Sequence, residues 1–148
     1  MPAMKVTSAQ INEIAQMLDC GLNAYINRET LEMDFIPYMD RLDETELWEE
    51  HYIKVTEEWN SFVIEPMQSW ESFKIMEKFV DEIPDEMLQQ NLIKILSRKS
   101  PFANFKAEID DSDYRQQWFD FKQKLYEEYV MTQLEVEKIP FEGQPIDE

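Results

Sequence analysis

The chain has 148 residues, and 32 acidic residues against 14 basic ones give it a formal charge of -18. That length suits one domain burying roughly 70% of its unfolded surface, and nine Phe, six Tyr and four Trp argue against a disordered acidic chain. The charge excludes a direct grip on nucleic acid, whose phosphates are held by clustered Lys and Arg, and disfavours an anionic membrane surface.

In chain order, Ser8 offers an N-cap before Ile11, Ile14, Ala15 and Leu18 at helical spacing, and Gly21 suits the left-handed end of that helix. Leu22 to Asn27 and Leu31 to Ile36 read as the strands of a hairpin turning through Asn27-Arg28-Glu29-Thr30. In the second strand Leu31, Met33 and Phe35 alternate with Glu32 and Asp34, which predicts one buried and one wet face, and Pro37 closes it. Trp48, Tyr52, Val55, Trp59 and Phe62 recur at helical steps, with Glu46, Glu49, Glu50, Glu57 and Glu58 on the outer face.

Phe62 to Glu65 is a third short strand ended by Pro66. A helix from about Ser69 is predicted to bury Phe73, Met76, Phe79 and Val80. Pro84 suits the first turn of the next, which buries Leu88, Leu92, Ile95 and Leu96. Ser100-Pro101 opens a helix with Phe102, Phe105 and Ile109 inside, and Asp111-Ser112-Asp113 caps a last helix with the stripe Tyr114, Trp118, Phe121, Leu125 and Tyr129. The expected class is α+β and mainly helical: five or six helices, with a small antiparallel sheet (a hairpin plus one short strand) from the N-terminal third. Residues 1–139 are expected to form a single globular domain and 140–148, with Pro140, Gly143 and Pro145, a loose tail.

No apolar run approaches the roughly 20 residues of a membrane span. After Lys5, the polar residues Thr7, Ser8, Gln10, Asn12 and Glu13 replace a signal core, and the lone Cys20 has no partner for an internal disulfide. A cytoplasmic location is expected.

Several segments carry a resemblance. Tyr25-Ile26-Asn27-Arg28-Glu29-Thr30, Met76-Glu77-Lys78-Phe79-Val80, Phe102-Ala103-Asn104-Phe105-Lys106, and Trp118-Phe119-Asp120-Phe121 with Tyr126 occur in an order that resembles uncharacterised protein family 0158 over roughly Lys5 to Ile139. The resemblance implies a fold and a bacterial, cytoplasmic origin, and no activity. Two departures stand out. Ala103 and Asn104 occupy positions where the family pattern has two arginines, so an anion site built on those arginines would be missing here. Leu31 follows Thr30 where the family's turn usually has Gly.

Candidate chemistry is sparse. His51 is the only histidine, inside the acidic helix beside Glu50, and reads as a half-exposed structural residue. With only Gly21 and Gly143 there is neither a Gly-x-Ser-x-Gly elbow nor a phosphate-binding glycine loop. Cys20 falls at a helix C-terminus, where the dipole disfavours a thiolate, and reads as a small buried hydrophobe. Zinc ligands are not clustered, and Asp111-Ser112-Asp113 runs into Tyr114 and Arg115 rather than the glycine that a calcium loop requires. Glu46 with Glu50, or Glu82 with Glu86, would need further ligands from another helix to hold Mg²⁺ or Mn²⁺. No catalytic, cofactor or metal residue is assigned, and no cofactor is implied.

What remains is binding. Tyr38, Trp70 and Phe119 fall off the apolar faces, and Met39 and Met67 adjoin two of them. Either a second packing face buries these five, or they form a candidate interaction surface, for a basic protein partner in a binding or regulatory module or for homo-oligomerisation. A carboxylate-held metal enzyme and an acidic nucleic-acid mimic that binds a basic protein are the alternatives. Self-repulsion at this charge predicts that raising monovalent salt from about 10 to 500 mM raises the thermal midpoint. Calorimetry checks this, and an unchanged midpoint would mean that the acids are already well paired.

Overall fold

The structure, a computed structural model, describes residues 4–37 and 42–145, with the side chains of α2 described from Trp48 onward. Six α-helices and three strands follow in the order α1 (Ser8–Asp19), β1 (Leu22–Asn27), β2 (Met33–Pro37), α2 (Leu42–Ile53), β3 (Ser61–Ile64), α3 (Ser69–Glu82), α4 (Glu86–Leu96), α5 (Pro101–Asp110) and α6 (Arg115–Val136), with a π-helical turn at Lys54–Glu58. This is the expected mainly helical α+β class with a small antiparallel sheet. The chain forms two compact units: Met1–Pro66 with Tyr126–Glu148, and Met67–Leu125.

In the first unit β1 lies at the centre of the sheet, antiparallel to β2 and β3 on either side. Register places Ala24 opposite Phe35 and Ile64, and Ile26 opposite Met33 and Phe62. Paired residues share a face, so one side of the sheet is apolar, and Ala24, Ile26, Phe62 and Ile64 on it are buried. Met33 and Phe35 lie on that face as the alternation predicts, although half-buried on an edge strand.

The other face is not left to water. Ile36 on it is fully buried, and α2 with the π-turn brings Tyr52, His51 and Lys54 over Tyr25 and Asp34. The continuous stripe expected from Trp48 to Phe62 therefore breaks. Only Val55 is buried within the π-turn, Tyr52 stays 43% exposed, and Trp59 turns to extended backbone (φ -89°, ψ 146°). Ser61 donates its hydroxyl to the Val55 carbonyl, tying the π-turn to the start of β3. Helical spacing alone carries no mark of that interruption.

The hairpin turn is built by Asn27, the one buried polar residue among those described. Its Oδ1 accepts from the Glu29 and Thr30 amides at 2.8 and 3.3 Å, an Asx-type turn. Leu31 closes the turn at φ 62°, in the left-handed region, while its side chain is 9% exposed. Leu31 thus accepts backbone strain and buries its side chain.

Caps shift by a residue or two. Thr7 rather than Ser8 caps α1, accepting from the Gln10 amide at 3.1 Å while Gln10 Oε1 accepts from the Thr7 amide at 2.8 Å. Gly21, at φ 91°, follows α1 as expected. Pro84 lies outside α4, which Asp85 caps by accepting from the Leu88 amide at 3.2 Å. Ser100 sits at φ 54° without a side-chain cap. In Asp111-Ser112-Asp113 it is Ser112 that works, accepting from the Tyr114 amide at 3.1 Å and donating to the Ile109 carbonyl at 2.8 Å.

The second unit has an aromatic core. Trp118 lies 5.0 Å from Phe105 and 5.2 Å from Phe79 between ring centroids, and Phe79 lies 5.3 Å from Phe121. Ile75, Met76, Val80, Ile83, Leu92 and Ile109 complete it. Along the rest of α6, Tyr126, Val130 and Leu134 are the buried positions, so the stripe shifts one column from the expected Tyr129. Tyr129 instead donates its hydroxyl to the Glu65 carbonyl at 2.8 Å. Phe141, in the segment expected to be loose, is 2% exposed and pairs in parallel with Val6.

Leu31→Gly and Leu31→Ala both remove the buried branched end of the side chain, but only glycine, which also loses Cβ, relieves the left-handed strain. Leu31→Gly should be the more stable of the two by about 1 kcal/mol, although both fall below the parent protein. Chemical denaturation of the two variants checks the order.

Candidate functional site

His51 is where chemistry would have to reside. Its Nδ1 lies 2.9 Å from Asp34 Oδ2, and Lys54 Nζ reaches the same oxygen at 2.9 Å. Asp34 also accepts from the Phe35 amide through Oδ1 at 3.1 Å. Its side chain is 16% exposed, that of His51 48%. Burial pushes the Asp34 carboxyl upward, but the hydrogen bonds and charges of Lys54 and His51 prevail and hold it below its ordinary value. Trp48 packs on His51 at 5.5 Å and Lys54 lies 5.1 Å over the Trp59 ring.

Glu50, His51, Ile53, Lys54 and Glu58 line an open depression of about 440 Å³. No serine or cysteine is hydrogen-bonded to His51 among the described residues. The cluster pins α2 and the π-turn to β2, and His51 is half-exposed as the sequence reading expects. On the same face burial raises the Tyr25 hydroxyl above its ordinary value, reinforced by Tyr52 and Glu65.

The hairpin motif is likewise occupied by structure. Arg28 pairs with the Glu137 carboxylate, donates to the Glu137 carbonyl at 3.3 Å, and stacks 4.9 Å over Phe62. Cys20, expected as a small buried hydrophobe, is instead exposed, and it is unbridged. Glu82 ends α3 and Glu86 begins α4, so these two carboxylates do not share a helix face. The Glu46 side chain lies outside the described residues. Among those described, no three His, Cys, Asp or Glu side chains group as a metal site. No described helix is long and apolar enough to cross a membrane.

The candidate interaction surface divides. Tyr38 and Met39 lie outside the described residues. Met67 and Phe119 are half-buried against the core of the second unit, and Phe119 is covered by Arg115 and Lys122 at 4.9 and 5.5 Å. Trp70 is 58% exposed, yet its indole N–H donates to Gln68 Oε1 at 2.9 Å and Lys74 lies 5.0 Å over its ring. The structure brings only Met67 and Phe119 to the margin of one core.

A groove on the second unit has the better geometry. Between α3 and α4, Phe73, Val80, Ile93 and Leu96, with Ser97, enclose about 230 Å³, and Glu77 and Asp81 edge it. Phe102, at the start of α5, meets Phe73 edge-on with centroids 6.4 Å apart. Ile93 and Phe102 are 48% and 43% exposed. Among the described residues neither Glu77 nor Asp81 is ion-paired.

The sequence reading assigned Phe73, Leu96 and Phe102 to the core. The missed signal is positional: Phe102 stands at the first turn of its helix and Ile93 sits off the Leu88–Leu92–Ile95 stripe. Ala103 and Asn104 are exposed on α5, and Asn104 donates its amide to the Lys99 carbonyl at 3.0 Å, so no cation stands where the family pattern has arginines.

Replacing Asp34 by Asn should destabilise the protein by about 1 kcal/mol at pH 7, through weaker bonds to Lys54 and His51. Because the Asp34 carboxyl is held below its ordinary value, its contribution is complete above about pH 5 and is lost as acid protonates it. The gap between parent and variant should therefore close as pH falls below about 4, as denaturation at stepped pH would reveal.

No curated protein matches the chain, and no solved structure matches it. A family model, described as an uncharacterised protein family (UPF0158), matches residues 2–144. With the hairpin motif and the aromatic segments of α3, α5 and α6 in their expected order, the chain belongs to that family.

Proposed function

We propose that this chain is a protein-binding or regulatory module that docks a basic protein partner through an apolar surface edged by acid. One observation carries the reading: on a chain of charge -18, Phe73, with Phe102 against it, and Ile93 line a groove whose polar margin holds Glu77 and Asp81, neither of them ion-paired among the described residues. Large apolar side chains exposed together mark binding surfaces more often than chance exposure does. The carboxylates favour a cationic partner and speed its arrival. We take the working location to be the cytoplasm, in keeping with the exposed, unbridged Cys20.

The test is affinity capture from native cytoplasm at about 50 and 500 mM salt. Basic proteins should be retained in the first condition and reduced at least about tenfold in the second, because the Debye length shrinks severalfold. Capture that enriches no basic protein even at low salt overturns the reading.

A further inference from the structure

We infer that the α3–α4 groove takes a short amphipathic helix of the partner, with its apolar residues inward and Lys or Arg against Glu77 and Asp81. The inference rests on the reading of the chain as a protein-binding module. At about 230 Å³ the groove falls below the roughly 300–1,000 Å³ of small-molecule sites, so side chains of a larger partner fit it better than a free metabolite. Its walls are helices, which present no strand edge to which an extended peptide could add.

Length agrees. Phe73 to Asp81 covers eight residue steps of α3, about 12 Å at 1.5 Å per step, and helix anchors at i, i+4 and i+7 span about 10 Å. Glu77 and Asp81 are one turn apart on the same helix, so they form one edge of the groove. Cations four residues apart on the incoming helix would match that spacing. Val80 lies at the bottom, 2% exposed, while Ile93 and Phe102 stand exposed enough to meet a ligand without first unpacking.

The probe is an 18-residue synthetic peptide with Leu at i, i+4 and i+7 and Lys elsewhere. It is compared with a scrambled peptide of equal composition and with one carrying Glu for Lys. Amide shift mapping of the full chain should place the Leu–Lys peptide at Phe73, Glu77, Asp81, Ile93 and Leu96, with the other two at least about tenfold weaker. Ile93→Asp should abolish the titration, and the pair Glu77→Gln with Asp81→Asn should weaken it about fivefold. Ile93 and both acids are exposed, and an unchanged melting curve confirms that the variants remain folded.

Equal binding by the scrambled peptide, shifts spread over other acidic surfaces, or indifference to Ile93→Asp overturns the groove. Those results leave a captured basic partner standing, whereas empty capture at low salt removes the module itself.

Discussion

The shortage of cations governs this molecule. Fourteen basic residues face thirty-two carboxylates, so the placement of each cation decides which elements are tied and which repel. Among the described residues, five of them lie over aromatic rings. Arg28 covers Phe62 while pairing with Glu137, and Lys54 covers Trp59 while holding Asp34. Arg115 lies over Phe119 and bonds Asp110, and Lys74 and Lys122 lie over Trp70 and Trp118. Each such position adds about 0.5–1 kcal/mol and covers apolar area with an alkyl stem. An aromatic-rich, acid-rich chain can hold its surface together this way with few ion pairs.

That placement explains what was legible in the sequence. Elements defined by local chemistry were readable: Gly21 ends α1, Asn27-Arg28-Glu29-Thr30 turns the hairpin, and alternation in β2 assigns Met33 and Phe35 to the apolar face. Caps slipped where two competent residues adjoin, since Thr7 and Ser8 differ only in which can meet Gln10 reciprocally. The Trp48–Phe62 stripe failed for a tertiary reason. Asp34 on β2 recruits His51 and Lys54, and the chain leaves the helix through a π-turn to reach β3. A cross-element ion cluster leaves no periodic trace.

The candidate site was legible only in kind. Surplus aromatics on an acidic chain indicate a binding surface, but spacing cannot separate a half-buried Phe73 from a buried Phe79 on one stripe. Trp70 looks exposed by position and is exposed, yet its indole nitrogen and one face are satisfied by Gln68 and Lys74. The groove residues drew no notice because Phe102 continues the stripe of Phe105 and Ile109. Exposure at a helix start depends on what packs there, here Phe73 alone among aromatic rings.

Salt then acts to different extents on two populations of carboxylate. Asp34, 16% exposed and bonded by Lys54 and His51, lies where mobile ions screen little. Glu77 and Asp81 are exposed and, among the described residues, not ion-paired, so screening weakens both their repulsion from neighbouring acids and their pull on a cation. The acids that destabilise the fold are therefore the ones that can attract a partner. A bound basic helix would relieve the same repulsion that added salt relieves, and docking would stabilise the second unit by neutralisation as well as by contact.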